Sequence, residues 1–297
     1  MPSRFRSLIL CLLAIALVTD SSRDASAARG EYKLEKHAVW SASLGAEIGY
    51  RVALPPGYRA PENQNKRYPV IYLLHGLKGS SWDWLYIGRL PETMARRIRT
   101  GDLSEVIAVS MNGGASYWTR QLDRVDRPGE DYARFLAIDL VAEVDRRFRT
   151  LRRRQYRSLV GLSMGGFGAL SLGLLYPDRF GSVVSLSGAL FRTVPSSKTA
   201  YLEVWGDPPQ EAHFDRYSPY ALAGRLSPDE GLPRIYIGCG RGDHRRFRER
   251  AKAMHERLTE RAIAHTYELG EGGHEWSYWV GDSEGWLSFV EAGFSAR

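Results

Sequence analysis

Disulfide chemistry is almost closed to this chain. Its 297 residues contain two cysteines, and Cys11 falls inside an apolar N-terminal run, so Cys239 stands alone in the remainder of the chain. No internal disulfide is then expected, and the fold must rest on its core, which a chain of this length can bury. Paired cysteines at zinc spacing, an H-E-x-x-H helix and a phosphate loop ending in Lys-Ser/Thr are missing too. The residues therefore give no signal for a metal, a nucleotide or another cofactor. Internal repeats, low-complexity blocks and long linkers are absent, which excludes solenoids and tethered arrays and favours one folded unit.

Acidic excess is also lacking: the formal net charge is +7, with 43% hydrophobic and 25% charged residues. That composition excludes global disorder. Arginines are densest at Arg146–Arg154 and Arg241–Arg250, yet no nucleic-acid-binding motif accompanies them, so no nucleic-acid partner is expected. The first run closes a helical pattern, where cations suit the negative dipole end, and reads as a solvated face. Weak association with an anionic envelope polymer stays compatible with the basic balance.

Long hydrophobic runs are scarce. The clearest, Leu8 to Val18, is short for a membrane span, follows Arg4 and Arg6, and is succeeded by Ala25-Ser26-Ala27. Residues 1–27 thus read as a secretory signal peptide and 28–297 as a single domain, secreted or periplasmic. Leu10 is too bulky to precede a lipoprotein cysteine, and a retained anchor is the alternative reading. Cys239 ends the apolar stretch Arg234 to Cys239 and is expected to be a buried thiol.

Apolar runs predict strands near Ala38–Ser43, Ile48–Leu54, Tyr68–Leu74, Glu105–Ser110, Ser158–Leu162, Ser182–Ser187, Arg234–Cys239 and His265–Leu269. Helical spacing covers Glu130–Phe148, Gly165–Tyr176 and Arg245–Arg261. Alternation of strand and helix argues for an α/β class with a mostly parallel sheet covered on both faces. Phe191 to Phe214 has no clean period and is expected to cover one end of the sheet.

One serine is placed for chemistry. Gly161-Leu162-Ser163-Met164-Gly165 is a G-x-S-x-G at a predicted strand-to-helix boundary, where a sharp elbow lifts the hydroxyl above the sheet and leaves no space for Cβ atoms two residues away. A serine needs a base. His274, in the glycine-rich loop Gly270 to Trp276 after the last predicted strand, can reach the elbow. Asp243 follows the penultimate strand and precedes His274, placing it to fix the imidazole tautomer. Asp207, Asp215, Asp229, Glu271 and Asp282 lack that strand-end placement. Backbone amides of Leu77, after the strand ending in His75-Gly76, and of Met164 are the candidate oxyanion donors. Trp82, Trp84 and Trp118 follow strand ends and are candidates for stacking on substrate, while Trp276 and Trp279 are expected to pack behind the histidine loop.

Five elements in order resemble one family: Leu73-Leu74-His75-Gly76, Gly161 to Gly166, Tyr176-Pro177-Asp178-Arg179-Phe180, Gly238-Cys239-Gly240 with Asp243, and Gly273-His274-Glu275-Trp276. They resemble the esterase family related to esterase D, which includes feruloyl and acetylxylan esterases, S-formylglutathione hydrolases and antigen 85 mycolyltransferases. The resemblance implies an α/β-hydrolase fold without a large inserted lid, with Ser163, Asp243 and His274 as triad and Leu77 and Met164 as oxyanion donors. The acid loop Gly240-Arg241-Gly242-Asp243-His244 is more basic than the family's common form. The expected activity is that of a serine esterase forming an acyl-enzyme, on a small-molecule or carbohydrate-linked ester. Acyl transfer to envelope sugar hydroxyls and a non-catalytic binding scaffold are the alternatives. The sequence carries no reading of oligomeric state.

Overall fold

The computed structural model describes residues 30–122, 130–197, 199–228, 231–281 and 283–295. The expected leader, residues 1–27, and Cys11 within it lie outside the described residues. Eight strands form one sheet: β1 (Lys33–Ser41), β2 (Ala46–Leu54), β3 (Val70–Leu74), β4 (Ile107–Met111), β5 (Arg157–Leu162), β6 (Ser182–Leu186), β7 (Arg234–Gly240) and β8 (His265–Gly270). Their order is β1-β2-β4-β3-β5-β6-β7-β8. β2 pairs antiparallel with β1 and β4, and the rest of the sheet is parallel.

The physical reason lies in the burial pattern. β3, β4, β5 and β6 are buried at every position, as strands covered on both faces must be. Successive residues still face opposite sides: Val70, Tyr72 and Leu74 enter one core cluster with Phe135, Leu140, Phe167 and Met254. Ile71 and Leu73 enter the other with Met94, Trp286, Leu287 and Val290. At the edge, β1 begins at Lys33, ahead of the expected Ala38, because its alternating charged residues suit a strand with one wet face.

The pattern Tyr132, Leu136, Leu140, Val144, Phe148 repeats every four residues, wider than the 3.6 of an α-helix. The chain accommodates it by inserting a π-helical stretch, Phe135–Leu140, between the α-helical turns Tyr132–Arg134 and Val141–Arg147, which keeps the apolar stripe on the sheet. The other two expected helices are Met164–Leu175 and Arg245–Glu260. Further helices are Leu90–Thr100, Thr199–Trp205, Glu211–Tyr217, Pro219–Arg225, Trp276–Trp279 and Ser283–Ser295.

After β3 the chain moves to β4 on one side, and from β5 it moves to β6 on the other. The carboxyl ends of β3 and β5 therefore flank a point where connections diverge, which opens a crevice there.

The arginine run at 146–154 is a solvated face as expected, with Arg146, Arg147, Arg152 and Arg153 exposed, and several of its members are also paired. Arg146 and Arg147 each reach the Glu143 carboxylate at 2.7 Å, and the Arg149 guanidinium lies 3.9 Å over the Tyr58 ring. Beside them Asp145 accepts from Thr150 Oγ1 and from Arg157, both at 2.6 Å. The Arg157 side chain is 7% exposed and that of Asp145 14%. So little exposure makes removal of one partner costly, since the other charge stays behind unpaired. Asp145→Ala is expected to lose about 3 kcal/mol of folding stability. Urea unfolding of the variant measures this, and a loss under about 0.5 kcal/mol would mark the pair as solvent-screened.

Candidate active site

Ser163 stands where β5 becomes the helix Met164–Leu175, with φ 55° and ψ −115°, a conformation that side chains rarely adopt. Its neighbours over-determine it. The Ser163 N–H donates to the Leu186 carbonyl at 2.9 Å, and its own carbonyl accepts from Phe167 at 3.1 Å and Ala189 at 2.9 Å. A Cβ at Gly161 would sit 2.0 Å from the Gly165 carbonyl oxygen, and one at Gly165 would sit 2.1 Å from that of Leu74. Both glycines are thus required by contact.

The turn after β3 packs on the same point, because a Cβ at Gly76 would lie 3.5 Å from Ser163 Cβ. His75 fixes this turn. Its buried ring bonds the Gly76 carbonyl through Nδ1 at 2.7 Å and accepts from the Gly113 N–H through Nε2 at 2.9 Å. Both nitrogens are occupied, and burial lowers the pKa of the ring, so His75 is a neutral brace. Leu77 follows it at the cavity wall. Met164 opens the elbow helix, where its N–H has no partner within the helix.

Asp243 and His274 are brought into contact. His274 Nδ1 lies 3.2 and 3.1 Å from the two Asp243 carboxylate oxygens. The carboxylate is 0% exposed and the imidazole 23%. Burial pushes the Asp243 pKa up, but hydrogen bonds from His274 and Ser187, the His274 charge and the His244 N–H outweigh it and hold the carboxyl below its ordinary range. Ser187 in turn accepts from Trp279 Nε1 at 3.1 Å. The imidazole is clamped by Phe247, stacked at 4.2 Å, and by the edge of Trp279 at 5.0 Å. Glu271, a rival carboxylate, is 90% exposed and pairs instead with Arg241.

Ser163, His274, Gly76 and Leu77 line one cavity of about 600 Å³. Tyr117, Phe191, Tyr201, Phe247 and Trp276 form its aromatic walls, and Arg246 and Arg250 its charged edge. A cleft of about 680 Å³ beside Tyr32 and Arg89 contains no serine or histidine and shares no lining residue with it.

None of the three stacking candidates lines the cavity, and all three are corrected. Trp84 is fully buried, donating Nε1 to the Leu74 carbonyl at 3.0 Å and packing edge-on to Trp276 and Trp286. Trp118 is fully buried beneath His75, its ring filling the space left by Gly113 and Gly168. Both indoles are spent in the core. Trp82 is 46% exposed but is covered by the Arg51 guanidinium at 3.7 Å and is absent from the cavity wall. Trp276 departs from its expected place behind the histidine loop: it lines the cavity, as does Trp279. Cys239 is buried as expected, 3.7 Å from the Asp243 carboxylate, which together with burial pushes its thiol up to about 12.

Residues 41–282 match the family model described as "Putative esterase", so the chain belongs to this esterase family and is by class a carboxylic-ester hydrolase. It is 29% identical to the acetyl esterase of Caldicellulosiruptor saccharolyticus over 236 residues, 74% of this chain and 84% of that protein. It is 28% identical to the endo-1,4-beta-xylanase/feruloyl esterase of Xylanibacter ruminicola over 53% of this chain and 22% of that one. Among solved structures, a ferulic acid esterase aligns with a TM-score of 0.75 at 25% identity, covering 89% of this chain and 99% of that one. The α/β-hydrolase fold is shared with it.

The depressed Asp243 pKa has a definite sign. Its ionised contacts stabilise the fold fully above the ordinary value of 3.8, and that contribution is lost as pH falls through the lower folded value. A carboxyl ¹³C titration of Asp243 is expected to give a midpoint below 3.8, raised in Ser187→Ala. A midpoint above that value would mean that desolvation dominates.

Proposed function

We propose that this chain is an exported serine esterase that works through an acyl-enzyme. The observation that carries the reading is the convergence, in one cavity, of a serine held on a strained elbow and an imidazole whose Nδ1 is tied to a buried carboxylate. With Asp243 ionised, the hydrogen stays on Nδ1 and Nε2 keeps a lone pair for the Ser163 proton. Ser163 Oγ attacks the ester carbonyl as His274 takes the proton, and the imidazolium gains from the adjacent carboxylate. The tetrahedral oxyanion is held by the Met164 and Leu77 amides, one fixed by the elbow helix and the other by the turn that His75 braces. His274 returns the proton to the departing alkoxide, releasing the alcohol. Water, activated by the same histidine, then hydrolyses the acyl-serine.

Acetyl and feruloyl esters are the substrates suggested by the relatives' names, and the aromatic walls Phe191, Tyr201, Phe247 and Trp276 suit an apolar or aryl acyl group. Action outside the cytoplasm follows from the signal-like run at residues 1–27.

A small neutral fluorophosphonate is expected to add one phosphonyl group at Ser163, detected by intact mass. The adduct should vanish in Ser163→Ala and slow strongly in His274→Ala. On an activated acetyl ester, Ser163→Ala should lower kcat/KM by about 10⁴ or more. Retention of more than about a thousandth of the activity would remove Ser163 as nucleophile. Folded protein that neither labels nor hydrolyses would favour a binding scaffold.

A further inference from the structure

The helix Arg245–Glu260 begins two residues after Asp243 and turns its first residues to the cavity that holds Ser163. Most of its exposed charges are held: Arg245 pairs with Glu249, Lys252 with Glu256 and Arg257 with Glu260, and Arg248 donates to the Arg241 carbonyl at 3.0 Å. Arg246 and Arg250 break the pattern. Both line the cavity, and neither has a carboxylate partner among the described residues.

Arg250 is the more constrained. It is half-buried, with its guanidinium 4.2 Å over the Phe191 ring and 5.9 Å from Phe247. Burial is the chief influence on its pKa and lowers it, and the remaining charges felt there are those of Tyr117, Tyr201 and Arg246. The Tyr117 and Tyr201 phenols hydrogen-bond one another beside it. The one aspartate lining the cavity, Asp83, is held elsewhere, accepting from the Ser80 N–H at 3.0 Å and Ser80 Oγ at 3.1 Å. A half-desolvated cation on an aromatic face, without a counter-charge, is a site completed by an anion.

We propose that the substrate carries a carboxylate besides its scissile ester, and that Arg250, with Arg246 at the rim, receives it against the Phe191–Tyr201 wall. This rests on the esterase reading and narrows it to acidic esters. The apolar part between ester and carboxylate lies along Phe191 and Phe247, while the guanidinium forms charge-assisted hydrogen bonds to the carboxylate oxygens. Arg250 is thus a specificity residue, outside the set of groups that break the bond.

The test compares matched pairs of esters that differ by the anion alone. In the acyl arm, p-nitrophenyl hemisuccinate, hemiglutarate and hemiadipate are measured against the butyrate, valerate and hexanoate. In the alcohol arm, acetylated galacturonate is measured against acetylated galactose. The wild type is expected to prefer the acidic member of at least one arm by about tenfold or more in kcat/KM, chiefly through KM. The preferred arm tells which side of the ester faces Arg250. The acid-to-neutral ratio should collapse toward one in Arg250→Met, be partly kept in Arg250→Lys, and drop less in Arg246→Gln. Raising salt should erode it. Should Arg250→Met fail to fold, the Arg246→Gln ratio and the salt dependence decide. Wild-type protein that labels at Ser163 and hydrolyses neutral esters without preferring acidic ones overturns the proposal and leaves the esterase reading standing. Absence of both labelling and hydrolysis overturns the two together.

Discussion

The arrangement depends on one steric constraint, the approach of three backbone segments at the end of β5. Gly161 and Gly165 touch backbone to backbone, and Gly165 lies against the Leu74 carbonyl. Hydrogen bonds from Ser163 to Leu186 and from Ala189 to Ser163 bind the elbow to β6 and the loop beyond it. The strained serine is therefore held by β3, β5 and β6 together, and its geometry is a property of the sheet. Any substituent at those two glycines would push against main chain, which has nowhere to move.

Around that point a sequence of supports runs outward. His75 braces the turn that carries Leu77, and Trp118 packs beneath His75. Asp243 is held by Ser187, which Trp279 holds, and Trp279 also meets the His274 ring edge. The fully buried Trp84 and Trp118 thus serve the core, while Trp279 both positions the acid and the imidazole and joins Tyr117, Phe191, Tyr201, Phe247 and Trp276 in the cavity wall.

This division explains which features are legible in the sequence. The strands are legible because continuous apolar runs such as Val70–Leu74 have few other uses. Ser163, Asp243 and His274 are legible because each sits directly after a strand or in the loop beyond one, where short-range pattern fixes location. Trp84 and Trp118 mislead because a tryptophan after a strand end can turn either inward or outward, and that choice depends on distant partners such as Gly168 and Trp286. The walls at Phe191 and Tyr201 are hidden for the same reason: the stretch 191–214 has no period, and its short helices form by packing Trp205 and Phe214 into the core. A signal for Arg250 does exist, since a helix starting right after the acid loop must present its first turns to the site.

The separation of sheet-end supports from cavity wall has an evolutionary consequence. Ser163, His75 and Asp243 are locked by main-chain contacts and buried hydrogen bonds, whereas Phe191, Thr193, Val194 and Tyr201 belong to a segment that contributes no strand. Changes in that segment can alter which molecules enter without disturbing the elbow. The molecule is modular in this sense: selection among substrates can drift through the covering segment while the bond-breaking geometry is inherited intact.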